Sequence, residues 1–228
     1  MLSFDQIYAA AAIRKGDKLE DQLPEPVAQD ALRGIADHRF LAAMTRGIFQ
    51  SGFVWRVVEN KWPSFEEVFQ GFDPDLLSVL PEDAYAVMAR DARIIRNRQK
   101  VDTVPRNAQM VMDTIAEHGS FGNYLADWPS DNIVGLWQDL SKRGARLGGN
   151  TGPFFLRRMG KDTFMLTGDV TIALQRMGLI GKNPHTKSAH AAAQKAFNAW
   201  QLESGRPLCQ ISRLLSYTVS RDAPTSIE

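Results

Sequence analysis

Three observations predict an all-α fold, a compact multi-helix bundle. Apolar residues recur at helical spacing along nearly the whole chain, and no stretch alternates as a half-buried strand does. Residues that suit helix starts, such as Ser64, Asp73-Pro74 and Pro81-Glu82, punctuate the chain at short intervals. A basic helical run from Leu140 ends at the glycine-rich turn Arg146-Leu147-Gly148-Gly149-Asn150-Thr151, and a second helical run follows directly. That last pattern reads as a helix-hairpin-helix.

The elements follow in order. Ser3 to Arg14 is alanine-rich and predicts a helix, and Gly16 to Pro26 predicts a polar loop. Asp37 or His38 opens a helix toward Gly47, with Phe40, Leu41 and Met44 on one face. Helix is expected again over Gly52 to Glu59, and Ser64 with Glu67 has the spacing of a capping box for a further short one. Asp73-Pro74 and Pro81-Glu82 each begin a helix, because proline suits the first turn. Asn97 to His118 predicts a long helix disturbed near Pro105. Asp131 to Lys142 leads into the hairpin, with Gly148 a candidate C-cap. Lys187 to Ser204 is an alanine-rich helix ended by Gly205-Arg206-Pro207, Pro207 to Tyr217 forms the last helix, and the final residues are expected to fray. The whole chain, 1–228, is expected to form a single domain of two closely packed lobes, with the hairpin near 140–160.

Composition narrows the function. The chain has 228 residues, 44% of them hydrophobic, which is ample for a sizeable core. Lys+Arg 27 against Asp+Glu 26 gives a formal net charge of +1, so any nucleic-acid face must be local. Cys209 is the one cysteine, and His38, His118, His185 and His190 lack ligand spacing, so neither a disulfide framework nor a metal site is expected. No cofactor is expected either. No signal-peptide pattern and no membrane-length apolar run are visible, which points to the cytoplasm.

The hairpin is the most informative stretch. Its turn exposes backbone N–H groups beside a helix N-terminus, a geometry that holds phosphate without reading bases. Lys142, Arg143, Arg146, Arg157 and Arg158 flank it. The alternative is an ordinary helix-turn-helix connection. Farther on, Asp169 stands at the mouth of another helix, either as a carboxylate placed toward bound DNA or as a helix N-cap. Arg93, Arg96, Arg98 and Lys100 form a second basic cluster, facing either phosphate or solvent laced with ion pairs.

Three blocks in order carry a family resemblance. They are Gln50-Ser51-Gly52-Phe53-Val54-Trp55 with Phe65, Phe69 and Phe72-Asp73-Pro74, then Ile94 to Val101 closing at Asn107-Ala108, then Lys142-Arg143-Gly144 leading into Gly148 and Thr151. The chain resembles the DNA-3-methyladenine glycosylase I family of the helix-hairpin-helix DNA glycosylase superfamily. It departs from that family in lacking the N-terminal His-Asp-x-Glu-Trp-Gly signature, the zinc site and the pocket glutamate, whose position falls on Gly47.

The resemblance implies a glycosylase-like bundle that excises alkylated purines, of the 3-methyladenine type, from double-stranded DNA. Nothing in the sequence suggests an obligate partner, so a monomer is expected. It implies backbone binding by Arg146, Gly148, Gly149, Asn150 and Thr151. It makes Phe53 the wedge, Trp55 the stacking face and Gln50 a hydrogen-bonding group near the base, with Tyr8 a further pocket candidate and Phe49 and Trp62 left to the core. Asp169 would stabilise the sugar cation, or Thr167 would if the register shifts by two. Asn150 stands where strand-cleaving relatives carry a lysine, so the reaction would be monofunctional. A non-catalytic DNA-binding module and a glycosylase for another alkylated base are the alternatives.

Overall fold

The computed structural model describes residues 1–219; the expected fraying at the end falls mainly on residues outside that range. The helices in chain order are α1 (Phe4–Lys15), α2 (Gln29–Arg33), α3 (Asp37–Gln50), α4 (Trp55–Val68), α5 (Pro74–Val79), α6 (Glu82–Met88) and α7 (Arg98–Val101). There follow α8 (Thr103–His118), α9 (Phe121–Asp127), α10 (Ile133–Arg143), α11 (Thr151–Arg158), α12 (Gly168–Arg176), α13 (Lys187–Ser204) and α14 (Leu208–Tyr217). No strand occurs among the described residues, and the all-α class stands. The chain divides into two compact units: Met1–Pro26, Ser130–Val134 and the chain from Asp162 onward form the first, and Val27–Pro129 with Gly135–Lys161 form the second.

In the first unit, α1 opens with a reciprocal capping box between Ser3 and Gln6. Helix α13 has the predicted bounds. Thr186 accepts the Ala189 N–H at its start, and Gly205 at φ +68 ends it in the left-handed region. Phe164 stacks on Phe197 at 4.1 Å, and both are fully buried with Trp200. The carboxylate of Asp162 accepts from Leu208 and Cys209 N–H at 2.9 and 2.8 Å, so a negative charge sits at the N-terminus of α14.

The second unit is built around α3, whose Phe40, Leu41, Met44, Ile48 and Phe49 are buried. It packs against α4, α5, α8 and α11. Trp62, Phe65, Phe69 and Phe72 form an aromatic stack beside it, with neighbouring centroids 5.4 to 6.1 Å apart. Phe72 is held at φ +62 to join that stack. Left-handed backbone costs a non-glycine residue roughly 1–2 kcal/mol. Burying a phenylalanine returns about 1.5–3 kcal/mol, enough to offset it.

Four expected boundaries move. Residues 51–54 form a turn with Gly52 at φ +74, so the helix expected from Gly52 starts at Trp55. It then runs through Pro63 and Ser64 to Val68, and Ser64 is interior rather than a cap. The long helix expected over 97–118 breaks at Asp102, which places Pro105 in the tolerant first turn of α8. Helix α10 ends at Arg143, where the Gly144 N–H reaches the Leu140 carbonyl, so Gly148 is not its cap.

Helices α2 and α9 meet at Gly122, where an added Cβ would lie 2.7 Å from the Leu32 carbonyl oxygen and 2.9 Å from that of Arg33. Both obstacles are backbone, so the helices must part to admit a side chain. Gly122→Val is expected to lower stability by about 1–3 kcal/mol. Urea unfolding monitored by circular dichroism reads this, and an unchanged midpoint would contradict the close contact.

Candidate functional site

The hairpin is seated by one buried side chain. Asn107 on α8 is fully buried. Its Oδ1 accepts the Ala145 N–H at 2.7 Å, and its Nδ2 donates to the Ala145 carbonyl at 3.3 Å. The amide thereby replaces a strand-like partner for the second residue beyond α10. Arg146 takes φ +56 and donates to Gln99 Oε1 at 2.7 Å, which ties the turn to α7. Gly152 N–H bonds to the Leu147 carbonyl and closes the loop at 3.1 Å.

Space favours glycine in the turn and at the start of α11. A Cβ on Gly148 would lie 2.9 Å from Ser141 Oγ, and one on Gly152 would lie 2.6 Å from the Leu147 carbonyl oxygen. Gly149 needs its freedom for φ +59. Among the described residues, the N–H groups of Gly148, Gly149 and Asn150 donate to no carbonyl. They lie just before the first turn of α11, where the helix dipole adds positive potential.

The flanking cations do not act alike. Lys142 is exposed. Arg143 is spent inside the unit, on Glu117 at 3.2 Å, Asp139 at 3.6 Å and the Thr114 hydroxyl at 3.0 Å. In the second basic cluster, Arg93 pairs with Asp91 and Glu67, and Arg98 with Asp102 and Glu82. Those two belong to an ion-paired face. Lys100 is buried, and its Nζ donates to the carbonyls of Phe49 at 3.2 Å and Ser51 at 2.6 Å. It also lies over the Phe53 ring at 4.5 Å. Burial first, and then Arg146, hold its pKa below the usual lysine value. Lys100 therefore anchors the turn that carries Phe53.

A cavity of about 240 Å³ opens between α3, α11 and that turn. Gly47, Gln50 and Ser51 form one side, Trp55 stands at the mouth, and Asn150, Thr151 and Phe154 bring in the hairpin and its second helix. Phe155 and Arg158 complete the lining. Trp55 is 54% exposed and Phe53 42%, so neither is a core aromatic, whereas Phe49 and Trp62 are core as expected. Trp55 meets Phe154 edge to face at 6.4 Å. A Cβ on Gly47 would meet only Thr151 Cγ2 at 3.9 Å, so this wall is open.

A polar chain runs through the cavity wall at Gln50 and Arg158 to Glu59, and sequence reasoning missed Glu59 and the pairing of Arg158. Gln50 is 3% exposed; its Nε2 donates to Glu59 Oε1 at 2.5 Å, and its Oε1 accepts from Arg158 at 2.5 Å. Glu59 is also paired with Arg46, which lies over the Trp62 ring at 4.8 Å. Burial lowers the pKa of Arg158, and burial followed by repulsion from Arg158 lowers that of Arg46. Only the fold links Glu59 to Arg158 through Gln50, since the two lie 99 positions apart in the chain.

Tyr8 and Asp169 belong to the first unit. The Tyr8 hydroxyl donates to Glu20 Oε1 at 2.7 Å, which raises its pKa, and Arg206 covers its ring at 5.3 Å. Asp169 lies in the first turn of α12, where Thr167 holds the N-cap position, so the expectation that the aspartate caps the helix is corrected. Among the described residues, no cluster of His, Cys, Asp and Glu is placed to hold a metal ion, and no helix is long and apolar enough to cross a membrane.

An all-α chain with a glycine-rich hairpin beside an aromatic cavity has the build of a helix-hairpin-helix DNA glycosylase, an enzyme that binds DNA. The methyladenine glycosylase family matches residues 34–191, and the chain belongs to that family. Its fold is shared with 3-methyladenine DNA glycosylase I from Staphylococcus aureus, 18% identical over 68% of this chain and 91% of that one, with a TM-score of 0.50. A crystal structure of another 3-methyladenine DNA glycosylase I is 19% identical over 63% of this chain and 86% of its own, with a TM-score of 0.49.

Asn107→Ala removes both bonds to Ala145 and leaves two backbone groups without partners. A loss of about 2–4 kcal/mol in unfolding free energy is expected, with faster amide exchange at Gly148 to Gly152. Unchanged exchange there would mean that the turn holds its shape without the clamp.

Proposed function

We propose that the protein is a monofunctional DNA glycosylase that excises an alkylated purine from duplex DNA in base excision repair, with 3-methyladenine as the reference base. The observation that carries this reading is the cavity shared by Trp55, Gln50 and the second helix of the hairpin. One small region then offers a place for an extruded base and a grip on the backbone it came from. Phosphate would sit on the N–H groups of Gly148, Gly149 and Asn150, with the Thr151 hydroxyl beside them.

A base inside a duplex is out of reach, so the nucleotide must leave the stack. Phe53 is exposed on a short turn and braced by Lys100, which suits a wedge that fills the gap. Trp55 gives the flipped base an aromatic face. Asp169 is the group assigned to the sugar cation, where a carboxylate stabilises an oxocarbenium-like centre. Thr167 is the alternative at that register. Asn150 cannot form a Schiff base, so the strand should remain intact at the abasic site. The open wall at Gly47 also supports a second substrate reading, a bulkier alkylated purine.

Methylated duplex DNA is expected to yield free methylated purine, with no borohydride-trapped protein–DNA adduct. Asp169→Asn should lower release by roughly 100-fold while leaving salt-sensitive DNA binding in place. Full activity in that variant, with loss in Thr167→Val, would move the role to Thr167. Phe53→Ala should weaken release from duplex more than from single-stranded DNA, because only the duplex has a stack to hold open. No release of any methylated purine would overturn the alkylpurine assignment.

A further inference from the structure

Gln50 presents the cavity with hydrogen-bonding atoms in a fixed order. Its side chain is buried, lines the cavity, and is held at both ends of the amide. Glu59 as a carboxylate only accepts, so Nε2 faces it at 2.5 Å. A guanidinium only donates, so Oε1 faces Arg158 at 2.5 Å. Turning the amide over would set oxygen against carboxylate and N–H against guanidinium. Glu59 is itself locked, because Arg46 pairs with both of its oxygens. Arg46 in turn lies over the buried Trp62 ring at 4.8 Å. The orientation of the amide is thus set from the core through Arg46 and Glu59. Among the described residues, these bonds leave one N–H of Nε2 and one lone pair of Oε1 for a ligand.

We infer that Glu59 is a positioning residue for base recognition: it sets Gln50 to offer a donor beside an acceptor in one order, which fits the edge of adenine and rejects that of guanine. This rests on the excision reaction proposed above, with the adenine base taken there as reference. A glutamine amide meets adenine with its oxygen on the N6 amino group and its N–H on the neighbouring ring nitrogen. Guanine in the same ring placement brings O6 where N6 stood, so two acceptors oppose each other and neither is satisfied. Methylation at N3 gives both bases the same methyl group and the same positive charge, so neither feature separates them. The edge does, and only while the amide cannot turn over. Gly47 on the same wall has no side chain to share this task.

The test uses the full chain and methylated duplex DNA, a source of both 3-methyladenine and 3-methylguanine, with release of each base expressed per lesion present. Wild type should release 3-methyladenine at least about 10-fold faster than 3-methylguanine. Glu59→Gln keeps the shape of the side chain but both donates and accepts, which frees Gln50 to turn over. The ratio of the two rates should then fall by roughly 10-fold. Both bases are read in one sample, so a loss of folded protein does not move the ratio. Gln50→Leu should lower the ratio likewise, and adding Glu59→Gln to it should change the ratio no further, because Glu59 acts through Gln50. An unchanged ratio in Glu59→Gln, faster release of 3-methylguanine by wild type, or a further fall in the double variant overturns the inference and leaves the glycosylase reading standing. Release of no base at all overturns the glycosylase reading. The edge is then read by quenching of tryptophan fluorescence, absent in Trp55→Phe, with free 3-methyladenine and 3-methylguanine as probes. Tighter binding of the adenine base that is levelled in Glu59→Gln supports the positioning of Gln50, and equal binding or none overturns it.

Discussion

The buried amide of Asn107 is the interaction on which the arrangement of the second unit depends. It satisfies both backbone groups of Ala145 from a position with no exposure. Unpaired, these part-buried backbone groups would each cost up to about 1–3 kcal/mol, which favours this exit from α10. That exit sets the left-handed Arg146 and the left-handed Gly149 that follow. The N–H groups of Gly148, Gly149 and Asn150, which donate to no carbonyl, sit in a turn held by that constraint. A phosphate site made of backbone is only as rigid as whatever holds that backbone, and here a side chain from α8 does so.

Lys100 acts on the cavity's other edge in a comparable way. Its ammonium draws together the carbonyls at the end of α3, beside the ring of Phe53. A buried lysine is costly unless its donors are met, and carbonyl oxygens meet them without a counter-charge. The hairpin and the aromatic turn are thus both braced by polar side chains from the segment spanning α7 and α8. This is a physical reason for that segment to appear as the middle block of the family resemblance.

Sequence reading recovered what local chemistry encodes. Helix α13 was legible to the residue because Thr186 and Gly205 cap it by side chain and by backbone freedom. The helix start at Trp55 was missed because a run of apolar residues, Phe53 to Trp55, has the same look in a turn as in a helix. Ser64 and Glu67 have capping-box spacing, yet Ser64 is interior to α4, since Pro63 is tolerated where the aromatic stack fixes the helix. At the site, Gln50, Trp55 and the hairpin glycines were legible through their blocks. Arg158 was read as one more cation near DNA, because its pairing with Gln50 is set by the packing of α3 against α11 and leaves no trace in spacing.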